Sequence, residues 1–182
     1  GLTEEELPNI VSRWRAAHPH IVELWYDVEA AAVAAIEGVP QKLQYNLKFF
    51  VKDGYLFIQL PSGRRLAYAQ PELCRDDRFD KVAITYMGIE QSKWAKQKTY
   101  GGKLVENIVQ ATARDILRDA MLLLDKAGYK IVMHVHDEVV LDVPNGFGSR
   151  EQVEEIMSIT PAWAPGLPLR AASFECDFYM KD

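Results

Sequence analysis

Cysteine is nearly absent: the 182 residues hold only Cys74 and Cys176. That excludes a disulfide-stapled secreted scaffold and favours a reducing compartment. Long apolar runs are also missing. The alanine-rich stretch from Ala30 to Ile36 ends at Glu37, far short of the roughly 20 residues that a membrane-spanning helix needs, so no membrane partner is expected. Nothing at the N-terminus reads as a signal peptide, and a cytoplasmic location is expected. Position 1 is Gly rather than Met, which leads to the expectation of a piece cut from something longer. Internal repeats and low-complexity tracts are lacking as well. What is present, 48% hydrophobic and 26% charged residues, describes an ordinary globular chain able to bury a core.

A net charge of -5 argues weakly against a dedicated nucleic-acid-binding module. Its distribution says more. Residues 1–40 carry two basic against seven acidic side chains, and 137–182 carry three against nine. Between them, 41–70 hold Lys42, Lys48, Lys52, Arg64 and Arg65 against Asp53 alone, and 91–103 hold Lys93, Lys96, Lys98 and Lys103 with no acid. Such stretches are either solvated loops or a surface that follows a phosphate backbone.

Thr3 and Glu6 form a capping-box pattern ahead of Leu7, Ile10, Val11 and Trp14, which predicts a helix to about Ala17. Pro19 opens a second helix, with Gly38 beyond its end. Leu47, Phe49 and Val51 then alternate with polar residues, Asp53-Gly54 supplies a turn, and Tyr55 to Leu60 returns as a hairpin. Pro61-Ser62-Gly63 makes a second turn into Leu66 to Tyr68. Residues 70–80 read as a polar loop, Val82 to Met87 as a strand, and 90–102 as a basic, irregular connection. A long helix is predicted from Lys103 to about Ala127, stopped by Gly128. On it Asn107, Gln110 and Arg114, at spacings of three and four, share one stripe. Tyr129 to Val135 and Val139 to Val143 form a further hairpin, followed by a short helix over about 149–158 and a last strand near Leu169 to Cys176. The fold class is therefore α+β, helices with antiparallel β-hairpins.

The turn His136-Asp137-Glu138 is the most informative stretch. Paired carboxylates there are costly unless solvated or neutralised, and Mg²⁺ typically takes one or two carboxylates together with substrate phosphates. An ordinary polar hairpin tip is the competing reading. A third reading uses the two His-x-His pairs, His18/His20 and His134/His136, as zinc ligands in a hydrolase.

Val135-His136-Asp137-Glu138, after a helix containing Gln110-Ala-Thr-Ala-Arg-Asp115-Ile-Leu, closely resembles the end of the family A DNA polymerases, the DNA polymerase I class. Thr99-Tyr-Gly-Gly-Lys-Leu-Val-Glu-Asn107-Ile-Val-Gln110 and Trp163-Ala-Pro-Gly-Leu-Pro-Leu169 look like the phage and prophage members. Ser62-Gly63-Arg64-Arg65 resembles the family's Gly-Arg-Arg element, and the similarity extends over essentially the whole chain. The resemblance implies the remainder of the fingers over 1–95, two helices and then a β-hairpin region. It implies the C-terminal part of the palm over 96–182, with the long helix and the metal-site hairpin.

By the same resemblance Asp137 and Glu138 are metal ligands and catalytic, with Glu138 in the supporting role, and His136 lies close to the primer end. Gln110 reaches the minor groove of the duplex, joined by Asn107 and Arg114, and Lys103 contacts phosphate. The implied cofactor is Mg²⁺ in a two-metal site only partly present here. The implied partners are primer–template DNA, deoxynucleoside triphosphates and the missing N-terminal polymerase portion.

Four departures qualify this. The family's asparagine four residues before the glutamine is Glu106 here, with Asn107 one place later, and an arginine common before the helix is replaced by Gly102-Lys103. The Asp-Tyr-Ser type palm motif with the other metal-binding aspartate is missing, as is the fingers motif that grips the triphosphate. The implied reaction is deoxynucleotide addition to a primer 3′ hydroxyl, with the isolated chain inactive. The alternative is a non-catalytic nucleic-acid- or partner-binding fragment.

Overall fold

The computed structural model describes Thr3, residues 6–76 and residues 81–180, in an α+β arrangement with antiparallel sheets. Two compact units divide it, Gly1–Val109 and Gln110–Asp182, and the division falls within a continuous helix. No helix among the described residues is long and apolar enough to cross a membrane.

In the first unit, α1 (Leu7–Ala17) and α2 (Pro19–Ile36) precede a sheet of six strands. Glu6 accepts bonds from the Thr3 N–H (2.9 Å) and hydroxyl (3.1 Å), yet α1 begins only at Leu7, with Pro8 in its first turn. The sheet comprises β1 (Gln41–Lys42), β2 (Lys48–Lys52), β3 (Tyr55–Gln59), β4 (Arg65–Asp76), β5 (Lys81–Glu90) and β6 (Lys93–Thr99), each paired antiparallel with its chain neighbour. Alternation splits it into two faces. Phe49, Leu56, Ile58 and Tyr68 lie buried on one face, which α2 covers with Val28, Ala31, Ala32 and Ala35. Burying each of the larger aliphatic or aromatic side chains stabilises the fold by about 1.5–3 kcal/mol. Phe50, Phe57 and Arg65 stand on the opposite face.

The sheet is larger than the sequence predicts. Residues 71–76 of the expected loop extend β4, because a bulge between Ala69 and Glu72 absorbs Pro71 and the left-handed Gln70 (φ 47°); residues 77–80 lie outside the described residues. The expected irregular connection at 90–102 holds β6, paired with β5 from Glu90–Lys93 to Ile84–Thr99. Its turn, Gln91-Ser92, takes positive φ at both residues (47° and 64°). This is the backbone form that Asn-Gly normally announces and that Gln-Ser does not.

The long helix α3 (Gly101–Lys126) starts in the first unit, where Leu104, Val105 and Ile108 are buried, and continues in the second, where Leu117, Ala120 and Leu124 are. The second unit adds β7 (Ile131–Val135), β8 (Glu138–Leu141) and α4 (Arg150–Met157). Ser149 caps α4, its hydroxyl accepting from the Gln152 N–H at 3.2 Å. The strand expected near Leu169 to Cys176 is not formed. Backbone groups there bond to side chains instead, the Ala171 N–H to Ser158 (3.1 Å) and the Ser173 N–H to Glu154 (2.8 Å).

Candidate functional site

In the second unit, β7 and β8 pair from Ile131–Leu141 to Val135–Glu138, so only His136 and Asp137 form the turn. His136 takes φ 53°, a left-handed conformation uncommon for a residue with a side chain. Glu138, expected in the turn, is the first residue of β8. All three side chains are exposed, and the Tyr179 hydroxyl reaches the Glu138 carboxylate at 3.5 Å. The hairpin thus carries two adjacent hard-oxygen donors open to solvent.

Among the described residues no group of three or more His, Cys, Asp or Glu side chains could hold a metal ion. Two adjacent carboxylates are a donor set compatible with Mg²⁺, which accepts one or two carboxylates and completes its shell with water and phosphate oxygens. The histidine pairs do not converge as zinc ligands. His18 Nδ1 bonds the Trp14 carbonyl (2.9 Å), while His20 Nδ1 faces Glu23 at 3.7 Å.

His134 has a different partner, missed in the sequence. Its Nε2 lies 3.3 Å from Arg114 Nη2 on α3, within reach of a hydrogen bond in which the guanidinium donates. Arg114 is thereby tied to the strand that leads into the Asp137 turn. Gln110, one turn earlier on α3, is exposed.

A charged cluster farther along α3 supports this unit and was equally invisible. Asp115 is 1% exposed and lies 3.9 Å from Arg118 Nη1. Arg118 also donates to Asp119 Oδ1 (2.6 Å), and Trp163 Nε1 donates to Asp119 Oδ2 (2.7 Å). The only sequence signal is spacing: 115, 118 and 119 share one side of a helix. The tryptophan of the Trp163-Ala-Pro-Gly segment therefore anchors that segment to α3.

In the first unit, Asn107 is half-buried, and its Nδ2 donates to the Tyr68 hydroxyl at 3.0 Å. Tyr68 packs edge-on against Tyr86, with ring centroids 5.0 Å apart. Burial raises the Tyr68 pKa above its ordinary value, and the Asn107 bond opposes that shift. An unfolded tyrosine ionises near pH 10. With the folded value higher, Tyr68 stabilises the fold fully below about pH 10, and its contribution is lost as pH rises through the folded pKa. Urea unfolding at pH 8 to 11 should show a steeper alkaline loss of stability for the natural protein than for Tyr68→Phe; equal slopes would contradict this burial. Lys103 is exposed and paired with Glu106 (2.9 Å), which raises the lysine pKa. Such an exposed pair is worth little.

Over 184 aligned residues and its whole length, the chain is 59% identical to a DNA polymerase of Bacillus phage SP02. It spans 28% of that relative's length. No family model and no solved structure matches the chain.

Proposed function

We propose that this chain is the C-terminal part of a family A, template-directed DNA polymerase, comprising the remainder of the fingers and the C-terminal part of the palm. The observation that carries the reading is its 59% identity along the whole chain to a phage DNA polymerase. Within that reading, Asp137 and Glu138 hold Mg²⁺ from one side, the second aspartate coming from the portion not included here. When bound, the metal stabilises the charge on attacking and leaving oxygens. His136 sits beside Asp137 in the turn and approaches the primer end.

Gln110 takes the minor-groove role. The groove edge offers base acceptors common to every correct pair, so an amide donor there tests pairing geometry without reading sequence. Asn107 already spends its Nδ2 on Tyr68 and holds the start of α3 to the sheet. Arg114, fixed by His134, and Lys103, released from Glu106, supply positive charge toward the backbone.

The test is salt-dependent binding of a primed duplex, followed by anisotropy. Gln110→Ala should weaken binding about 5- to 10-fold, equally for unrelated duplex sequences, a loss of about 1–1.4 kcal/mol at the low end of what a base contact contributes. Absence of binding at about 50 mM salt, or an unchanged affinity in the variant, would overturn the assignment.

A further inference from the structure

The register of the six-stranded sheet brings together residues that are scattered in the sequence. On the face opposite α2, Lys48, Gln59 and Arg65 are successive cross-strand partners. So are Phe50, Phe57 and Ala67 in the next row. A third row runs Lys52, Tyr55, Ala69, Met87 and Lys96, across five strands. The register therefore puts Lys96 of the second basic stretch on the same face as Lys48, Lys52 and Arg65 of the first. Rows of same-face residues lie about 7 Å apart along a strand. A row of rings thus has cations on both sides of it.

The rings are arranged as a platform. Phe50 and Phe57 stack with centroids 5.5 Å apart, and the Tyr55 ring lies tilted by 31° with its centroid 6.0 Å from that of Phe57. The Arg65 guanidinium lies over Phe50 at 5.3 Å. Beside the rings stand the small side chains of Ala67 and Ala69; Tyr55 is exposed, and Phe50 and Phe57 are half-buried. Along β2, β3 and the first part of β4, this face carries Lys48, Lys52 and Arg65 and no carboxylate. Farther across, the Glu72 carboxylate is paired with Lys96.

We propose that this outer sheet face binds single-stranded DNA, with unpaired bases stacked on Phe50, Phe57 and Tyr55 and phosphates held by Lys48, Lys52 and Arg65. Flat rings flanked by cations are what an unpaired strand requires, because every base has a π-face and every linkage a negative charge. A paired duplex hides its base faces and gains nothing from the rings. The platform itself stands on the geometry of the first unit; the choice of DNA over RNA rests on the polymerase reading.

The experiment titrates the full chain with fluorescent oligo(dT), and in parallel with the same-length RNA and a blunt duplex. Three cations on a single strand predict a slope of log K against log salt near -2. Lys48→Gln with Lys52→Gln should reduce it to about -0.7. Phe50→Leu with Phe57→Leu should weaken oligo(dT) binding about 30-fold at constant slope. Phe57→Tyr should retain it. Ultraviolet cross-linking should map to residues 48–69, a readout that does not depend on any variant folding. The proposal falls if oligo(dT) does not bind at about 50 mM salt, if cross-links map elsewhere, or if the phenylalanine pair changes nothing, as it would were the face a protein-docking surface. RNA binding tighter than DNA overturns the choice of strand. Failure of the polymerase reading is read separately, through Gln110→Ala on primed duplex, which does not touch this face.

Discussion

Mixed with Mg²⁺, nucleotides and a primed template, the chain alone is expected to extend no primer. Supplied with a polymerase portion carrying the second aspartate and the triphosphate-binding helix, it should support extension. Asp137→Asn should then lower the rate by at least about 1000-fold, a barrier increase of roughly 4 kcal/mol. The size follows from the donor set. Asp137 and Glu138 are the hard-oxygen pair on this hairpin, and the amide would remove an anionic ligand that would hold the divalent ion in place of its water shell. Glu138→Gln should cost less, because Glu138 lies in β8 and shares its carboxylate with Tyr179. Gel-resolved primer extension checks both claims. Clear incorporation by the chain alone would refute the split site, and an unimpaired Asp137→Asn enzyme would remove Asp137 from the metal site.

The largest effect on stability is expected at Gly101. A Cβ there would lie 2.0 Å from the Trp25 carbonyl oxygen and 2.8 Å from its carbon, both backbone atoms that cannot swing aside. The Gly101 N–H also donates to Glu29 at 2.9 Å, placing a carboxylate at the positive end of α3. Gly101→Ala must push α3 off α2 and stretch that bond, at about 3 kcal/mol, near the upper end of ordinary overpacking. For a protein this size the midpoint of thermal unfolding should fall by about 6–12 °C. Gly102→Ala is the control: its Cβ would meet the Tyr100 ring at 3.1 Å, a side chain that can turn away. If the two variants melt together, the close approach at Trp25 is not what fixes this glycine.

The helices were legible because their signals are local. Pro19, Gly38 and Gly128 mark ends, and the 3.6-residue period marks the runs between them, whereas the Thr3–Glu6 pair lies ahead of α1 and does not cap it. The β2–β3 hairpin announced itself through Asp53-Gly54, both at positive φ. The rest of the sheet was obscured by lysines at 93, 96 and 98, which read as a solvated loop until Gln91-Ser92 is seen to make a tight turn and Trp94, Lys96 and Lys98 to alternate outward. The candidate site was legible as a motif but not as a set of contacts. Nothing in the sequence announces that Arg114 meets His134, that Asn107 turns inward to Tyr68, or that Trp163 reaches Asp119. Each joins residues 20 or more positions apart, and such pairings are set by packing rather than by local pattern.

The strictly sequential order of the six strands also has a kinetic meaning. Every pairing in the sheet is with a chain neighbour, and three of its turns, at Asp53-Gly54, Pro61 to Arg64 and Gln91-Ser92, are short. Loop closure therefore costs little at those steps, and hairpins of this kind form in about 1–10 μs. The sheet can assemble progressively along the chain without waiting for a distant segment to return, which keeps its contact order low for a β-rich unit. A nascent chain would expose this region's strand edges only briefly, limiting the time in which they could pair with another molecule.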